Sequence, residues 1–239
     1  MLRLILDVIL IVILALCVWH GFRRGLIGSI AGILVVIIAL FGGNLLSSAY
    51  AGEVIPALEP FVDGFISSQQ TRDEILDKMG YDEFGRSLED ILNEDPSLRY
   101  DYAYACMDKM GFSKERCKEL SAKAVQLDDG GNISTTDAVV DVLCDTITHV
   151  GGLVLAFLMI LIALVAVGNL TNISFRLPNL VNFDEISGAV LGFIKGFMYC
   201  ALLCWALGFL GALIGKTTLD KSTLGSFFSQ MSFITKGLL

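Results

Sequence analysis

The chain has 239 residues, 54% of them hydrophobic and only 18% charged, with a formal net charge of −8. That balance belongs to integral membrane proteins rather than to soluble globular domains. It also argues against nucleic acid as a partner, because the clustered Lys and Arg needed to neutralise phosphates are missing.

Charge is unevenly placed. Glu53 to Asp145 holds 21 acids and nine bases, a net of −12, whereas the remainder nets +4. Hydrophobic arms therefore flank an acidic, water-soluble middle. Leu4 to Trp19 is apolar except for Asp7, and a second apolar run goes from Leu26 to about Leu46. Between them lies Gly21-Phe22-Arg23-Arg24-Gly25, which predicts two helices joined by a tight hairpin. Arg23-Arg24 ahead of the second run, with Ala49-Tyr50-Ala51 after it, also has the outline of a signal peptide. The long apolar run that precedes it and the length of the second run speak against that.

The middle reads as amphipathic helices. Pro96 behind Asp95 marks a helix start, with Leu98, Tyr102, Ala105 and Cys106 on one face, and Ser113 caps a second helix that runs to about Gln126. Gly111 marks the turn. Cys106 and Cys117 lie at similar distances on either side of it, which makes them a candidate disulfide in an antiparallel hairpin, with two buried thiols as the alternative. Asp128-Asp129-Gly130-Gly131-Asn132 lacks the spaced ligands of a calcium loop and reads as a turn. From Thr136 a helix with Val139, Val140, Leu143 and Ile147 on one stripe leads into a third apolar span, Thr148 to Val167.

The fourth span, Asp184 to Gly215, is the most informative stretch. Gly188, Gly192 and Gly196 recur every four residues, a spacing that lets a neighbouring backbone approach closely where lipid offers no hydrophobic reason for helices to associate. Lys195 lies at membrane depth in this span, as Asp7 does in the first, and both are candidate polar functional residues together with Arg24 and Asp184. Asp184 and Glu185 suit the positive end of their own helix dipole. For Asp7 and Lys195 the alternatives are a direct ion pair or snorkelling of each to its own interface. After Gly215, Phe227, Phe228, Met231, Phe233 and Ile234 interspersed with Ser, Thr and Lys predict a short helix lying on the membrane surface.

Gly21-Phe22-Arg23-Arg24-Gly25 and Gly192-Phe193-Ile194-Lys195-Gly196 share the pattern G-F-x-[RK]-G. Duplication of a helical pair and chance in a glycine-rich chain both account for it. His20 and His149 lack metal-ligand spacing, and no Walker, Cys-x-x-Cys, His-Glu-x-x-His or Gly-x-Ser-x-Gly motif is present. These features imply no enzyme, no cofactor and no metal site. Asn132-Ile-Ser134, Asn169-Leu-Thr171 and Asn172-Ile-Ser174 match the glycosylation triplet.

The expected fold is an all-α integral membrane protein with about four transmembrane helices and an inserted acidic helical domain. Its parts are a first helix pair (1–50), the acidic insert (51–146), a second pair (147–215) and an interfacial tail (216–239). Gly21, Gly25, Gly188, Gly192 and Gly196 are the expected helix-packing residues. With both termini on one side, the positive-inside rule places the Arg23-Arg24 hairpin and the Arg176 loop in the cytoplasm and the acidic insert outside it.

The chain resembles the colicin V production protein (CvpA) family of bacterial inner-membrane proteins. The resemblance is carried by the Leu6-Asp7 helix, by Gly21-Phe22-Arg23-Arg24-Gly25, by the run from Phe183-Asp184-Glu185 through Gly188 and Gly192 to Lys195-Gly196, and by Lys221-Ser222-Thr223-Leu224. It covers residues 1–50 and 147–239; the acidic insert of some ninety residues departs from it. The resemblance implies a multi-pass inner-membrane protein accessory to toxin production or export and to envelope maintenance, without established catalytic activity. The implied partners are the lipid bilayer and either a second copy or an envelope protein. A small oligomeric channel or transporter, with Arg24 and Lys195 at its mouth, is the competing expectation, and a redox or metal sensor at Cys106 and Cys117 a third.

Overall fold

The computed structural model describes residues 2–80, 88–128, 133–170, 181–209 and 222–230. Its elements are all helical: α1 (Leu2–Ile66), α2 (Gln69–Met79), α3 (Leu88–Glu94), α4 (Leu98–Met110), α5 (Lys114–Asp128), α6 (Thr135–Leu170), α7 (Val181–Phe209) and α8 (Thr223–Gln230). The Arg176 loop, the Asp129–Asn132 turn, the Asn172 triplet and the tail beyond Gln230 lie outside the described residues.

The chain divides into two compact units. Met1–Ala49, Gly151–Leu207 and Thr217–Leu239 form the first, and Tyr50–Val150 with Gly208–Lys216 form the second. Three helices are long and apolar enough to cross a membrane: Leu4–Ile66, Thr135–Gly168 and Phe183–Phe209. Only 28, 17 and 39% of their respective apolar windows is buried inside the chain. Most of that apolar surface therefore faces outward.

Within the first unit α1 is one helix by connectivity and two by geometry. Gly25 leaves the helical region at φ 73°, ψ −175°, a conformation that disfavours any residue with a Cβ. The Ser29 hydroxyl lies 3.3 Å from the Gly21 carbonyl it donates to, although eight helical residues span about 12 Å of a straight axis. The chain therefore doubles back at Gly25. The expected hairpin is present but sharper than a five-residue break, since Phe22, Arg23 and Arg24 are helical and a single glycine makes the reversal.

The second arm of α1 overruns its expected end near Leu46 and continues to Ile66 through Pro56 and Pro60. Each proline removes a backbone donor and crowds the carbonyl four residues earlier. Tertiary packing outweighs this, because Val62 and Ile66, one turn apart, are both buried in the second unit. In the first unit the same arm packs on α6. A Cβ at Gly43 would meet the Phe157 backbone at 3.1 Å, and one at Gly152 would meet the Ser47 hydroxyl at 2.8 Å.

The second unit packs by side-chain interdigitation. Ile75, Leu92, Tyr102, Met107, Val139 and Leu143 are fully buried. Gly80 and Gly111 close α2 and α4 in the left-handed region at φ 72° and 93°, ending each helix where a Cβ is disfavoured. Asp128 is buried and accepts a hydrogen bond from Thr135 Oγ1 at 2.7 Å, with Arg99 at 3.2 Å. It thereby ties α5 to the starts of α4 and α6.

Of the two alternatives for Cys106 and Cys117, the candidate disulfide is absent and two buried thiols are present. All six cysteines are free thiols. The Cys117 thiol points to the Phe112 carbonyl at 3.5 Å, and Cys106 shares a hydrogen bond with Tyr102. Each sulfur is held by its own neighbour. Burial also pushes the Cys106 thiol up to about 12, which leaves it without the thiolate character that redox sensing requires.

Candidate functional site

Of the residues singled out from the sequence, Gly21, Gly25, Gly188, Gly192, Gly196, Arg24, Asp184 and Lys195 converge where the first arm of α1 crosses α7. The two run antiparallel: Gly188 lies against Gly21 and Gly25, Gly192 against Cys17 and Gly21, and Gly196 against Leu14 and Cys17. A Cβ at Gly21 would fall 2.8 Å from Gly192 Cα, and one at Gly188 2.9 Å from Gly25 Cα. Backbone touches backbone here, so no side chain larger than hydrogen fits without separating the helices. All five glycines expected to pack helices do so, and the first glycines of the two G-F-x-[RK]-G copies face each other.

Polar groups lock this crossing. Asp184, only 4% exposed, accepts a hydrogen bond from the Leu26 amide at 2.8 Å. Leu26 begins the second arm, so its N–H has no partner within its own helix. The carboxylate thus acts as an N-cap supplied from a different helix, worth about 1–2 kcal/mol. The sequence suggested a role at the start of α7 and marked Asp184 as a candidate polar functional residue, without its partner on α1. A Cβ at Gly25 would also strike the Asp184 carboxyl group, so the turn and its cap depend on each other.

Ser29 completes the lock and was not foreseen. Its buried hydroxyl shares its one proton between the carbonyls of Gly21 at 3.3 Å and Gly188 at 3.2 Å, one on each crossing helix. The only hint in the sequence is a hydroxyl four residues after the turning glycine.

Asp7 and Lys195 go to separate places. Asp7 Oδ1 accepts from Ser222 Oγ at 2.6 Å and from the Leu224 amide at 3.1 Å, holding the first turn of α8. Phe228 of that helix is buried against Leu6, Leu10, Cys200, Ala201 and Cys204, so part of the apolar face expected to lie on a membrane surface packs on α1 and α7 instead. Lys195 Nζ lies 5.6 Å from the Tyr199 ring centre, within cation–π range. A Cβ at Gly32 would fall 3.1 Å from that ammonium.

Lys195 also lines a cavity of about 300 Å³ together with Arg24, His20, Cys17, Trp19 and Ser29, with Gly21, Gly28, Gly32 and Gly192 also in the lining. The cations of both G-F-x-[RK]-G copies meet in it. Among the described residues no group of three or more His, Cys, Asp or Glu is arranged to hold a metal ion.

Comparison of the chain with protein-family models, with curated proteins and with solved structures returns no match.

Proposed function

We propose that this is a non-enzymatic multi-pass membrane protein of the CvpA type, accessory to toxin production or export and to envelope maintenance. The first unit contributes four membrane crossings, two of them from the arms of α1, and the acidic unit lies on the extracytoplasmic side. The observation that carries this reading is the crossing of α1 and α7: of the residues on which the resemblance rests, Gly21, Gly25, Gly188, Gly192 and Gly196 lie in the helix contact and Asp184 in the polar lock. Asp7 and Asp184, which a catalytic reading would recruit, each accept hydrogen bonds that hold helices together.

The test is genetic. Deleting the gene from its host should lower the amount of co-expressed peptide toxin released and sensitise the envelope to detergent. Wild type should restore both, and Gly192→Leu neither. Unchanged release and envelope resistance in the deletion strain would remove the proposal.

The cavity shared by Arg24 and Lys195 favours a second reading, a small oligomeric channel or transporter. Purified wild type in liposomes would then pass solute above the protein-free rate, with Lys195→Ala assembling normally but altering the flux. No flux from the wild type rejects it.

A further inference from the structure

The cavity between the hairpin of α1 and α7 is a half-enclosed space whose charged lining is wholly cationic among the described residues: Lys195 and Arg24, with the His20 ring beside them. Holding an ammonium away from bulk water costs several kcal/mol unless an anion compensates it. The Ser29 hydroxyl is directed at two carbonyls, and the other side-chain N–H donors of the lining belong to Lys195, Arg24, His20 and Trp19. A Cβ at Gly28 would crowd Arg24 at 3.0 Å and one at Gly32 would crowd the Lys195 ammonium at 3.1 Å, so these two glycines leave the cations room.

What lies outside the cavity indicates the rest of the occupant. Val12, Leu16 and Trp19, spaced by four and three residues on the first arm, are 48, 61 and 64% exposed, and the last two line the cavity. They form an apolar track that ends at the cations, with a tryptophan where an interfacial belt residue sits. We propose that the cavity binds the phosphate-bearing head group of an anionic phospholipid, with an acyl chain laid along Val12, Leu16 and Trp19.

The proposal rests on the membrane placement above, and the two fail differently: a chain that carbonate washing releases from membranes refutes the placement, whereas lipid selectivity is read on detergent-solubilised, full-length protein. Native mass spectrometry of that protein with added phosphatidylglycerol or phosphatidylcholine should show at least a fivefold preference for the anionic lipid, the scale of one lysine at a membrane surface. Lys195→Gln should reduce phosphatidylglycerol affinity about five- to tenfold, and Lys195→Arg should keep it. Equal binding of the two lipids by wild type overturns the proposal without recourse to any variant, as does an undiminished preference in Lys195→Gln. Inorganic phosphate that binds in the absence of lipid and displaces phosphatidylglycerol at millimolar concentration overturns the lipid assignment in favour of a free oxyanion.

Discussion

The two units solve the same packing problem by opposite means. The first brings helices together at glycines, backbone on backbone, and leaves large side chains such as Phe41, Met159 and Ile162 about 70% exposed. The second draws Tyr102, Met107, Leu92 and Leu143 into a fully buried core and ties its helices with the Arg99–Asp128 pair. The difference matches the surroundings proposed for each unit. In water, burying apolar area is itself the driving force. Between helices bathed in lipid that force is absent, so close approach and a few hydrogen bonds must supply the adhesion.

Several substitutions break or sharpen this contrast. The largest effect belongs to Gly192→Leu, whose side chain would overlap the Cys17 carbonyl and Gly21 Cα. Because backbone cannot move aside as a side-chain tip does, the α1–α7 crossing should lose roughly 4 kcal/mol or more. Both tryptophans, Trp19 and Trp205, lie in the first unit, so denaturant titration followed by their fluorescence should show an early transition while amides of α4 and α5 stay protected from hydrogen exchange. Loss of protection in both units together would mean that they are one cooperative block.

Asp128→Ala is the converse. It leaves Arg99 partly buried without its acid and Thr135 without its acceptor, at a cost of about 3 kcal/mol. Exchange of α4 and α5 amides should accelerate, with the tryptophan-detected transition unmoved.

A smaller and more local effect is expected of Asp7→Ala, which removes the acceptor at the start of α8 and should cost about 1–2 kcal/mol. Faster exchange of the Leu224 and Gly225 amides, without change elsewhere, is the expected signature. Unchanged exchange there would show that the packing of Phe228 alone holds the helix.

The last expected effect is a pH dependence of the second unit. Burial raises the Cys106 thiol from an ordinary value of 9.0 to about 12. Its neutral form is therefore favoured by folding, and the associated stability is complete below pH 9 and declines between 9 and 12, where the unfolded chain ionises first. The urea midpoint read on α4 and α5 should fall more steeply from pH 8 to 10.5 in wild type than in Cys106→Ala. Equal slopes would place the alkaline sensitivity elsewhere.

Sequence periodicity and composition were enough for the helical class, the long apolar helices, the acidic middle, the run of α6 from the acidic segment into an apolar stretch, and the glycine face of α7. Each is a local property: the apolar length, charge and small-residue spacing that decide it lie within a few turns of one helix. Where a helix ends was less legible, since Pro56 and Pro60 lie inside α1 against their local preference once Val62 and Ile66 have a core to enter. Only the tertiary structure decided what the polar residues do. Asp184 caps Leu26 across 158 positions and Asp7 holds Ser222 across 215, while Cys106 and Cys117, near in sequence, each turn to a different neighbour. A hydrogen bond depends on where two atoms come to lie in space, and for residues so far apart along the chain no periodic pattern records that distance.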